Sequence, residues 1–287
     1  MKLSRLPLFL LFISLFSFAE PSVWQAKKEG VTYTLLGSIH AGNTSFYPLP
    51  DAATQAFNNS DGLIVEADIT SSAQPTLSEA TFTAEQVLSS SQIAQLRTIL
   101  DQYSLSPERY LQLPPWLLAI TLQLLQMPEA GLQVELGVDL FYLQQAHQNR
   151  TPVYELEGVD FQITLFQNVD QEGAELLIDT LSGWGESKQE LICLIDAWQQ
   201  GDDEALDQLL QQHEYSQSLA DQLIYERNNQ WVHALTTNQF ELADGHYFIL
   251  VGALHLVGKQ GLLQQLQQHG YTVTKLTNSS NSSCNVN

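Results

Sequence analysis

The sequence predicts an α/β protein in which two βαβ halves form one sheet, with a large helical insertion between them. Three observations support this fold class. An apolar run, a helical stretch and a second apolar run follow one another within residues 31–68. The same order returns in residues 247–276, and helical periodicity dominates residues 83–238. Short apolar runs that end at polar or glycine residues are typical of buried strands, and the strand–helix–strand order predicts parallel pairing.

The first nineteen residues are predicted to be a cleaved secretory signal, with Glu20 as the first mature residue. Lys2 and Arg5 precede the apolar stretch LPLFLLFISLF, and small residues stand at Ser17 and Ala19. The alternative, an uncleaved membrane anchor, is disfavoured because the apolar run is short for a membrane span. We therefore expect a periplasmic or secreted protein without a stable membrane span once the signal is removed.

The mature chain is predicted to be a single domain over residues 20–277, followed by a polar tail over residues 278–287. The formal net charge of −21 excludes nucleic acid as a partner, because such a chain repels phosphate backbones. The negative charge also favours the binding of divalent cations, although most of the carboxylates are solvated surface groups. Cys193 and Cys284 form a disulfide in an oxidising compartment, or Cys193 is part of the apolar core.

The amino-terminal half begins with two predicted strands, residues 23–28 and 31–36, joined by a turn at Glu29 and Gly30. A helix over residues 51–60 and a strand over residues 63–68 follow. This order predicts that the second and third strands are parallel and adjacent. It also places His40 and Glu66 at the same edge of the sheet.

The insertion begins at Thr83, which stands three residues before Gln86 at capping-box spacing. Pro114 and Pro115 open the most apolar helix of the mature chain, for which we predict burial in a core. The alternative is an exposed patch that binds a partner or lipid. Another helix begins near Gly137, a strand covers VYELE, and helices with breaks at glycines fill residues 158–238.

The carboxyl-terminal half contains two predicted strands, residues 247–251 and 271–276. Between them lies the helix GKQGLLQQLQQHG, whose natural end is Gly270. The first of these strands ends in GALH, Gly252 to His255, just as the second strand of the chain ends in GSIH, Gly37 to His40. Glycine at a strand end permits a close turn, so the histidine three residues later reaches the rim of the sheet, where ligands of α/β proteins bind.

Two histidines and a carboxylate at strand ends are the residue types that a divalent metal requires. Metal-bound water at such a site can attack a carbonyl group. A single GxxH is a weak signal, since a lone histidine is more often a hydrogen-bonded structural residue. Two of them after matching buried strands are a stronger signal. Glu66 strengthens it further, because a charge in LIVEAD is costly unless it lies at the rim or is paired.

The chain resembles the TraB/GumN family, which is related to the Tiki-type membrane-associated metalloproteases. The similarity covers nearly the whole mature chain, and its most specific mark is the pair of GxxH motifs. The segments that carry it are LLGSIHAGNTSFYPLP, LIVEAD, LGVDLFYLQQA, PVYELEG with Gln162, YERNNQW and VGALHLVGKQGLLQQLQQHGYTV. Ser38 stands where the family more usually has threonine, which keeps the hydroxyl group.

The resemblance implies a pseudo-symmetric pair of βαβ halves in which His40 and His255 meet at one site. It also implies that Glu66 joins them and that Arg227 and Asn228 contribute to the pocket. Members described as enzymes are metal-dependent peptidases. Peptide hydrolysis is therefore inferred here by analogy with the family fold, together with the site residues that match it.

The predicted metal ligands are His40, His255 and Glu66, holding Mn²⁺, Co²⁺ or Zn²⁺. In alternative assignments His40 or His255 is a general base, and Glu66 activates water. Arg227 is predicted to bind a substrate carboxylate or a developing oxyanion. No acidic residue stands three or four positions from it, so a structural ion-pair partner would come from elsewhere in the chain.

Three further site assignments are weaker. Asp139 and Glu157 are second-tier site candidates, and a helix-capping role is favoured for Asp139. Asp68 is equally well explained as a turn residue. The remaining histidines are predicted to lie on the surface: His147, His213, His233, His246 and His269.

The leading functional hypothesis is a metal-dependent hydrolase, acting on a peptide or protein substrate. The alternative is a non-catalytic periplasmic binding protein for haem or a peptide on the same fold. A third hypothesis is an interaction protein whose helical insertion is the functional part. The sequence leaves the substrate, the metal and the oligomeric state open.

Overall fold

A computed structural model describes residues 20–71, 81–212 and 217–284 of the chain, without the side chains of residues 170 and 217. The predicted signal, residues 1–19, and His213 lie outside these residues. The described part is a mixed α/β fold with one six-stranded sheet. The strands are β1 (Val23–Lys28), β2 (Val31–Ser38), β3 (Gly62–Val65), β4 (Val153–Glu155), β5 (Gly245–Gly252) and β6 (Thr272–Lys275).

The strand order is β4-β3-β5-β2-β1-β6. β4, β3, β5 and β2 are parallel, whereas β1 is antiparallel to both β2 and β6. The prediction that the second and third strands are adjacent is wrong, because β5 lies between them. Every residue of β5 from Tyr247 to Val251 is buried, and the central position covers both faces and both edges of this apolar strand.

The helices follow the predicted order, with breaks at the predicted glycines. In the amino-terminal half and early insertion they are α1 (Asp51–Asn58), α2 (Ala84–Val87), α3 (Ser90–Gln102), α4 (Pro107–Tyr110) and α5 (Pro115–Gln126). The later helices are α6 (Val138–Asn149), α7 (Val159–Asn168), α8 (Ala174–Ser182), α9 (Ser187–Gln199), α10 (Asp203–Gln212), α11 (Gln217–Ala220), α12 (Glu226–Thr236) and α13 (Leu262–Gln268). A π-helical segment, Asp221–Tyr225, joins α11 to α12. Short 3₁₀ segments are Thr44–Phe46, Pro128–Ala130, Val134–Leu136, Asp170–Glu172 and Ala253–His255.

Alternation along the strands divides the core into two layers. One face of the sheet, including Leu36 and Phe248, packs against α1, α6, α9 and α10. The opposite face, including Leu35 and Ile249, packs against α12 and α13. The sheet is therefore covered on both sides, which leaves its strand ends as the place where polar side chains reach solvent.

A third apolar cluster lies within the insertion, where α2, α3, α5 and α8 pack together. Leu118, Ala119 and Leu122 of α5 are buried in this cluster, so the prediction that this helix is core is confirmed. The predicted capping box of Thr83 and Gln86 is also present. In the part of the chain that the structure describes, no helix has both the length and the apolar character needed to cross a membrane. The pseudo-symmetric relation between the two halves stays a prediction.

The end of the described chain runs along α9 and α10. A disulfide joins Cys193 of α9 to Cys284, which selects the first of the two predicted roles for these cysteines. The backbone N–H groups of Ser282 and Ser283 donate to the carboxylates of Asp202 and Asp196 at 2.7 and 2.6 Å. The polar tail therefore docks on the insertion over its described residues.

Candidate functional site

The candidate site lies at the carboxyl edge of the parallel strands. His40 follows β2 by two residues, Glu66 follows β3 directly, and His255 follows β5 by three residues. The register pairs Ser38 with Gly252, so β2 and β5 end at the same level. Sequence segments about two hundred residues apart are thus brought to one edge of the sheet, as the two GxxH motifs predict.

Close packing favours glycine in both motifs, and more strongly at Gly37 than at Gly252. A Cβ on Gly37 would lie 2.8 Å from the Cα of Ala253, in the turn after β5. A Cβ on Gly252 would lie 3.3 Å from Oε1 of Glu66. Glycine therefore lets the two strand ends and the carboxylate approach one another.

Arg227 is the centre of a buried polar cluster, and all five of its N–H groups have acceptors. Nε donates to Oε1 of Glu157 at 2.7 Å. Nη2 donates to Oε2 of Glu66 at 2.6 Å and to Oε2 of Glu157 at 3.0 Å. Nη1 donates to the carbonyl oxygen of Leu223 at 2.9 Å and lies 3.1 Å from Nε2 of His255. A substrate oxygen would have to displace one of these partners, since a guanidinium has five N–H donors.

The sequence correctly required a partner for Arg227 from outside its own helix, and the partners are Glu66 and Glu157. The predicted role of Arg227 toward a substrate stays a prediction. In the present arrangement the guanidinium holds protein groups in place. Glu157, a second-tier candidate by sequence, is more fully enclosed than Glu66, with 2% of its side chain exposed against 11%.

Glu66 uses both carboxylate oxygens. Oε1 accepts from the backbone N–H of Gly252 at 2.7 Å. Oε2 accepts from Arg227 and also from Nε2 of Gln162 at 3.2 Å. These bonds satisfy a buried charge and fix the carboxylate at the rim.

The charge state of this cluster follows from its surroundings. Burial alone raises the pKa of Glu66, but His255, Arg227 and His40 facing it, with help from the N–H of Gly252, lower that pKa to about 2. Burial lowers the pKa of His255 to about 3, against the opposing charge of Glu66. His255 is therefore neutral near pH 7, where Arg227 and the protonated His40 are the charges that keep Glu66 ionised.

Asn228 fixes the orientation of His255. The side-chain amide of Asn228 donates to the carbonyl oxygens of His255 and Gln260 at 3.2 and 2.9 Å. Its Oδ1 is therefore free to accept, and it lies 2.8 Å from Nδ1 of His255. This network assigns the proton to Nδ1 and the lone pair to Nε2, which faces Arg227.

His40 occupies the open side of the site. Its side chain is 69% exposed, and Nδ1 lies 2.8 Å from Oδ2 of Asp139. The charge of Asp139 raises the pKa of His40 to about 9, with desolvation acting in the opposite direction. Asp139 thus orients the imidazole and leaves Nε2 on the side away from the carboxylate.

The capping role favoured for Asp139 is wrong. Gly137 is the N-cap of α6, and Asp139 lies in the first turn with its side chain on His40. A Cβ on Gly137 would lie 2.4 Å from the carbonyl oxygen of His40. Because the start of α6 packs directly on the GSIH turn, the carboxylate reaches across to the histidine.

A cleft of about 40 Å³ lies between the exposed His40 and the buried Glu66. This volume is enough for ordered water. The side chains that line it are His40, Val65, Glu66, Ala67, Ile69, Asp139, Leu143 and Gln162. Larger grooves of about 270 and 410 Å³ lie between α5 and α9. They contain neither GxxH histidine nor Glu66, so we place the site at the small cleft.

The three predicted metal ligands do not fit an ion as they stand. The lone pair of His255 Nε2 faces Arg227, which also binds Glu66, so an ion bound to both groups needs the position that the guanidinium occupies. Among the residues that the structure describes, no group of three or more histidine, cysteine, aspartate or glutamate side chains is arranged to hold a metal. The metal prediction stays a prediction that requires Arg227 to move.

The structure adds a second histidine–carboxylate pair that the sequence did not indicate. Nε2 of His147 lies 2.9 Å from Oδ2 of Asp68, while Oδ1 of Asp68 accepts from Thr70 as a turn residue does. His147 is exposed as predicted, but it is also part of this pair. His246 is partly buried and lies 2.8 Å from Oγ1 of Thr34, so its assignment to the surface is wrong. No sequence signal reveals these pairs, because they depend on how α6 and β5 pack.

Comparison with known proteins gives a consistent match. A family model described as the TraB/PrgY/gumN family matches residues 22–275. The uncharacterized protein YbaP of Escherichia coli (strain K12) is 35% identical over 236 residues, which cover 82% of this chain and 88% of that protein. The protein of the same name from Shigella flexneri is 36% identical over 234 residues, covering 81% and 87%. No solved structure gives a significant match.

Proposed function

Because the chain belongs to the TraB/PrgY/gumN family, we propose that it is a hydrolase of peptide bonds with its active site at the cleft beside His40 and Glu66. The observation that supports this most is the arrangement of these two residues. An exposed imidazole, oriented by Asp139, and an ionised carboxylate line one water-sized cleft. This is the geometry that general acid–base chemistry on a bound water needs.

His40 is the group that moves the proton. The imidazole is neutral above its pKa of about 9, and Nε2 then takes a proton from water as the water oxygen bonds to the carbonyl carbon of the substrate. The same nitrogen then gives the proton to the leaving amine as the C–N bond breaks. Asp139 accepts from Nδ1 and stabilises the imidazolium, and Glu66 orients the water by accepting a hydrogen bond.

The buried cluster holds these groups in place. Arg227 compensates the charge of Glu66, and Glu157 fixes the guanidinium. Asn228 and His255 anchor the turn after β5, whose Gly252 N–H binds Glu66. We assign positioning roles to this cluster because no N–H group of Arg227 is free for a substrate.

The predicted divalent ion stays part of the proposal as a separate question. If present, it would supply Lewis-acid activation of water. Binding to His40, Glu66 and His255 requires Arg227 to leave Nε2 of His255. Activity that disappears with EDTA and returns with Mn²⁺, Co²⁺ or Zn²⁺ would support the ion, whereas activity that EDTA leaves unchanged would support the chemistry of the side chains alone.

The test of the proposed function is hydrolysis of a diverse peptide mixture by the purified mature protein at a pH above the His40 pKa of about 9, read by mass spectrometry. The variant His40→Ala is expected to lose at least about a hundredfold in rate, the typical contribution of a general base. His269→Ala, which changes an exposed histidine at the C-cap of α13, is the matched control and keeps the wild-type rate. Equal rates for His40→Ala and wild type would contradict the proposal.

The alternative function, a non-catalytic binding protein for haem or a peptide, has one observation in its favour. Every N–H group of Arg227 is paired, as expected for a static structural network. Titration with haem distinguishes this function, because His40 Nε2 as an iron ligand would give a haem absorbance band that His40→Ala loses.

The proposed location is the periplasm or the cell exterior, and the proposed substrate is a peptide or protein. The disulfide between Cys193 and Cys284 supports an oxidising compartment. Mass spectrometry of protein recovered from the periplasm or the culture medium tests this, since the predicted mature chain begins at Glu20.

A further inference from the structure

The pair of His147 and Asp68 lies beside the cleft and has no part in the proposed hydrolysis. Oδ1 of Asp68 accepts from the N–H and the hydroxyl of Thr70 at 3.0 and 2.6 Å. Oδ2 binds Nε2 of His147 at 2.9 Å. Both oxygens of Asp68 are therefore engaged, so the carboxylate fixes the imidazole ring. The His147 side chain is 49% exposed, and Nδ1 lies on the side of the ring away from Asp68.

Helix α6 connects this pair to the site. Asp139, Leu143 and His147 follow one another at intervals of four residues, so they lie along one face of the helix. Asp139 and Leu143 line the cleft. Eight residues of α-helix cover about 12 Å. Leu143 is buried in the middle of this face, so the exposed path from the cleft to His147 runs over Ile69, which lines the cleft and adjoins Asp68.

Ile69 gives this surface an apolar element. It follows Asp68 directly and lines the cleft, yet its side chain is 56% exposed. This is the highest value among the large apolar residues that the structure describes as exposed. Ligand sites combine apolar side chains with a few oriented polar groups, and the mouth of this cleft has that composition.

We infer that this surface binds an extended peptide segment of about four residues on one side of the bond that is cleaved. At 3.2–3.4 Å per residue, an extended segment of that length spans roughly the 12 Å between Asp139 and His147. An apolar side chain of the peptide packs on Ile69, and Nδ1 of His147 accepts a hydrogen bond from a peptide N–H. This inference rests on the proposed function, because it describes how the same site binds its peptide substrate.

The first experiment compares a short and a long substrate. A dipeptide amide and a hexapeptide amide share the same cleavable bond, and the hexapeptide carries leucine within reach of Ile69. Wild type is expected to show at least a tenfold higher kcat/KM for the hexapeptide. His147→Ala and Ile69→Ser remove most of this advantage through a higher KM, whereas His269→Ala keeps it. An unchanged length preference in both His147→Ala and Ile69→Ser would overturn the inference.

The second experiment separates this inference from the proposed function. Binding of a fluorescent hexapeptide is measured by anisotropy with the His40→Ala variant, alone and combined with His147→Ala, after circular dichroism confirms that both are folded. We expect about a tenfold higher Kd for the double variant. Binding that depends on His147 without any hydrolysis by wild type would refute the hydrolase and support the peptide surface. Hydrolysis that depends on neither His147 nor substrate length would support the hydrolase and refute the peptide surface. If the protein neither binds nor hydrolyses the peptides, both proposals are refuted.

Discussion

Arg227 and Glu157 form a bidentate ion pair, with Nε 2.7 Å from Oε1 and Nη2 3.0 Å from Oε2. Oε1 of Glu157 also accepts from Nε1 of Trp231 at 2.8 Å. A bidentate pair fixes the plane of the guanidinium. That plane determines how the remaining N–H groups reach Glu66 and His255, so Glu157 controls the site without contacting the cleft.

Glu157→Gln is expected to destabilise the protein by roughly 3 kcal/mol, the low end of the cost of breaking a buried ion pair. The low end applies because Glu66 still compensates the charge of Arg227. Urea unfolding at pH 7, followed by circular dichroism, measures the difference.

The control for this prediction is an exposed pair of similar length. Arg97 and Glu108 are 2.6 Å apart, with side chains 44% and 68% exposed. Solvent and side-chain entropy offset such a pair, so Glu108→Gln should unfold at the same urea concentration as wild type. Similar midpoints for Glu108→Gln and Glu157→Gln would contradict the structural role of the buried cluster.

Gly37→Ala is expected to cost about 1–3 kcal/mol and to lower activity, because the new methyl group would lie 2.8 Å from the backbone of Ala253. The change pushes apart the two turns that carry His40 and His255. Gly185→Ala is the matched control, since a Cβ at Gly185 has no described atom within 4 Å. Thermal unfolding of both variants tests this, and a Gly37→Ala protein as stable as the control would show that the turns can separate freely.

Much of the fold was predictable because its signals are local. Apolar runs marked the strands, and β1 is Val23–Lys28 as predicted. The order of the strands in the sheet has no such local signal. The chain passes from β2 through α1 to β3, yet β5 inserts between these strands, and nothing in the two segments themselves encodes that partner.

The site shows the same division. The GxxH motifs, Glu66, Arg227 and Asn228 were found from sequence, and the structure brings them to one edge of the sheet. Two features of the site could not be predicted: every N–H group of Arg227 has an acceptor, and Asp139 binds His40. Both depend on contacts between segments seventy to one hundred and sixty residues apart. Helix-cap preference favoured the wrong role for Asp139, because a tertiary contact replaced the local one.

Asp139→Asn is expected to lower the pKa of His40 from about 9 toward its ordinary value near 6.5. The amide keeps the shape of the carboxylate but removes its charge, leaving Glu66 and Arg227 as the charged groups that face the imidazole. NMR titration of the ring protons in EDTA-treated protein measures this pKa. Asp68→Asn makes the same change at the His147 pair and should leave the His40 titration in place. An unchanged pKa in Asp139→Asn would refute the assigned cause.

Replacing both cysteines, as in Cys193→Ser with Cys284→Ser, is expected to lower stability by about 2–4 kcal/mol. The disulfide closes a loop between residues 91 positions apart, which restricts the unfolded chain. It also holds the docked tail on α9. Urea unfolding of the double variant should match that of wild type with dithiothreitol. A double variant that unfolds like oxidised wild type would show that the bridge does not form in solution.

His255 predicts a loss of stability in mild acid. Its pKa is lowered to about 3 in the folded protein by burial, with Glu66 opposing and Arg227 and His40 reinforcing the shift. The unfolded chain takes up the proton near pH 6.5, so the contribution of neutral His255 is complete above that pH and is lost as the pH falls toward 3. Between pH 7 and pH 5 this amounts to roughly 2 kcal/mol.

The test of this acid sensitivity is urea unfolding of wild type and His255→Gln at pH 7 and pH 5. Glutamine keeps a polar side chain at this position but cannot titrate, so the variant should lose roughly 2 kcal/mol less than wild type over this range. Glu66 does not obscure the result, because its pKa of about 2 keeps it ionised in the folded protein at both pH values. If the two proteins lose equal stability, His255 is not held neutral by burial, and the charge assigned to the cluster is wrong.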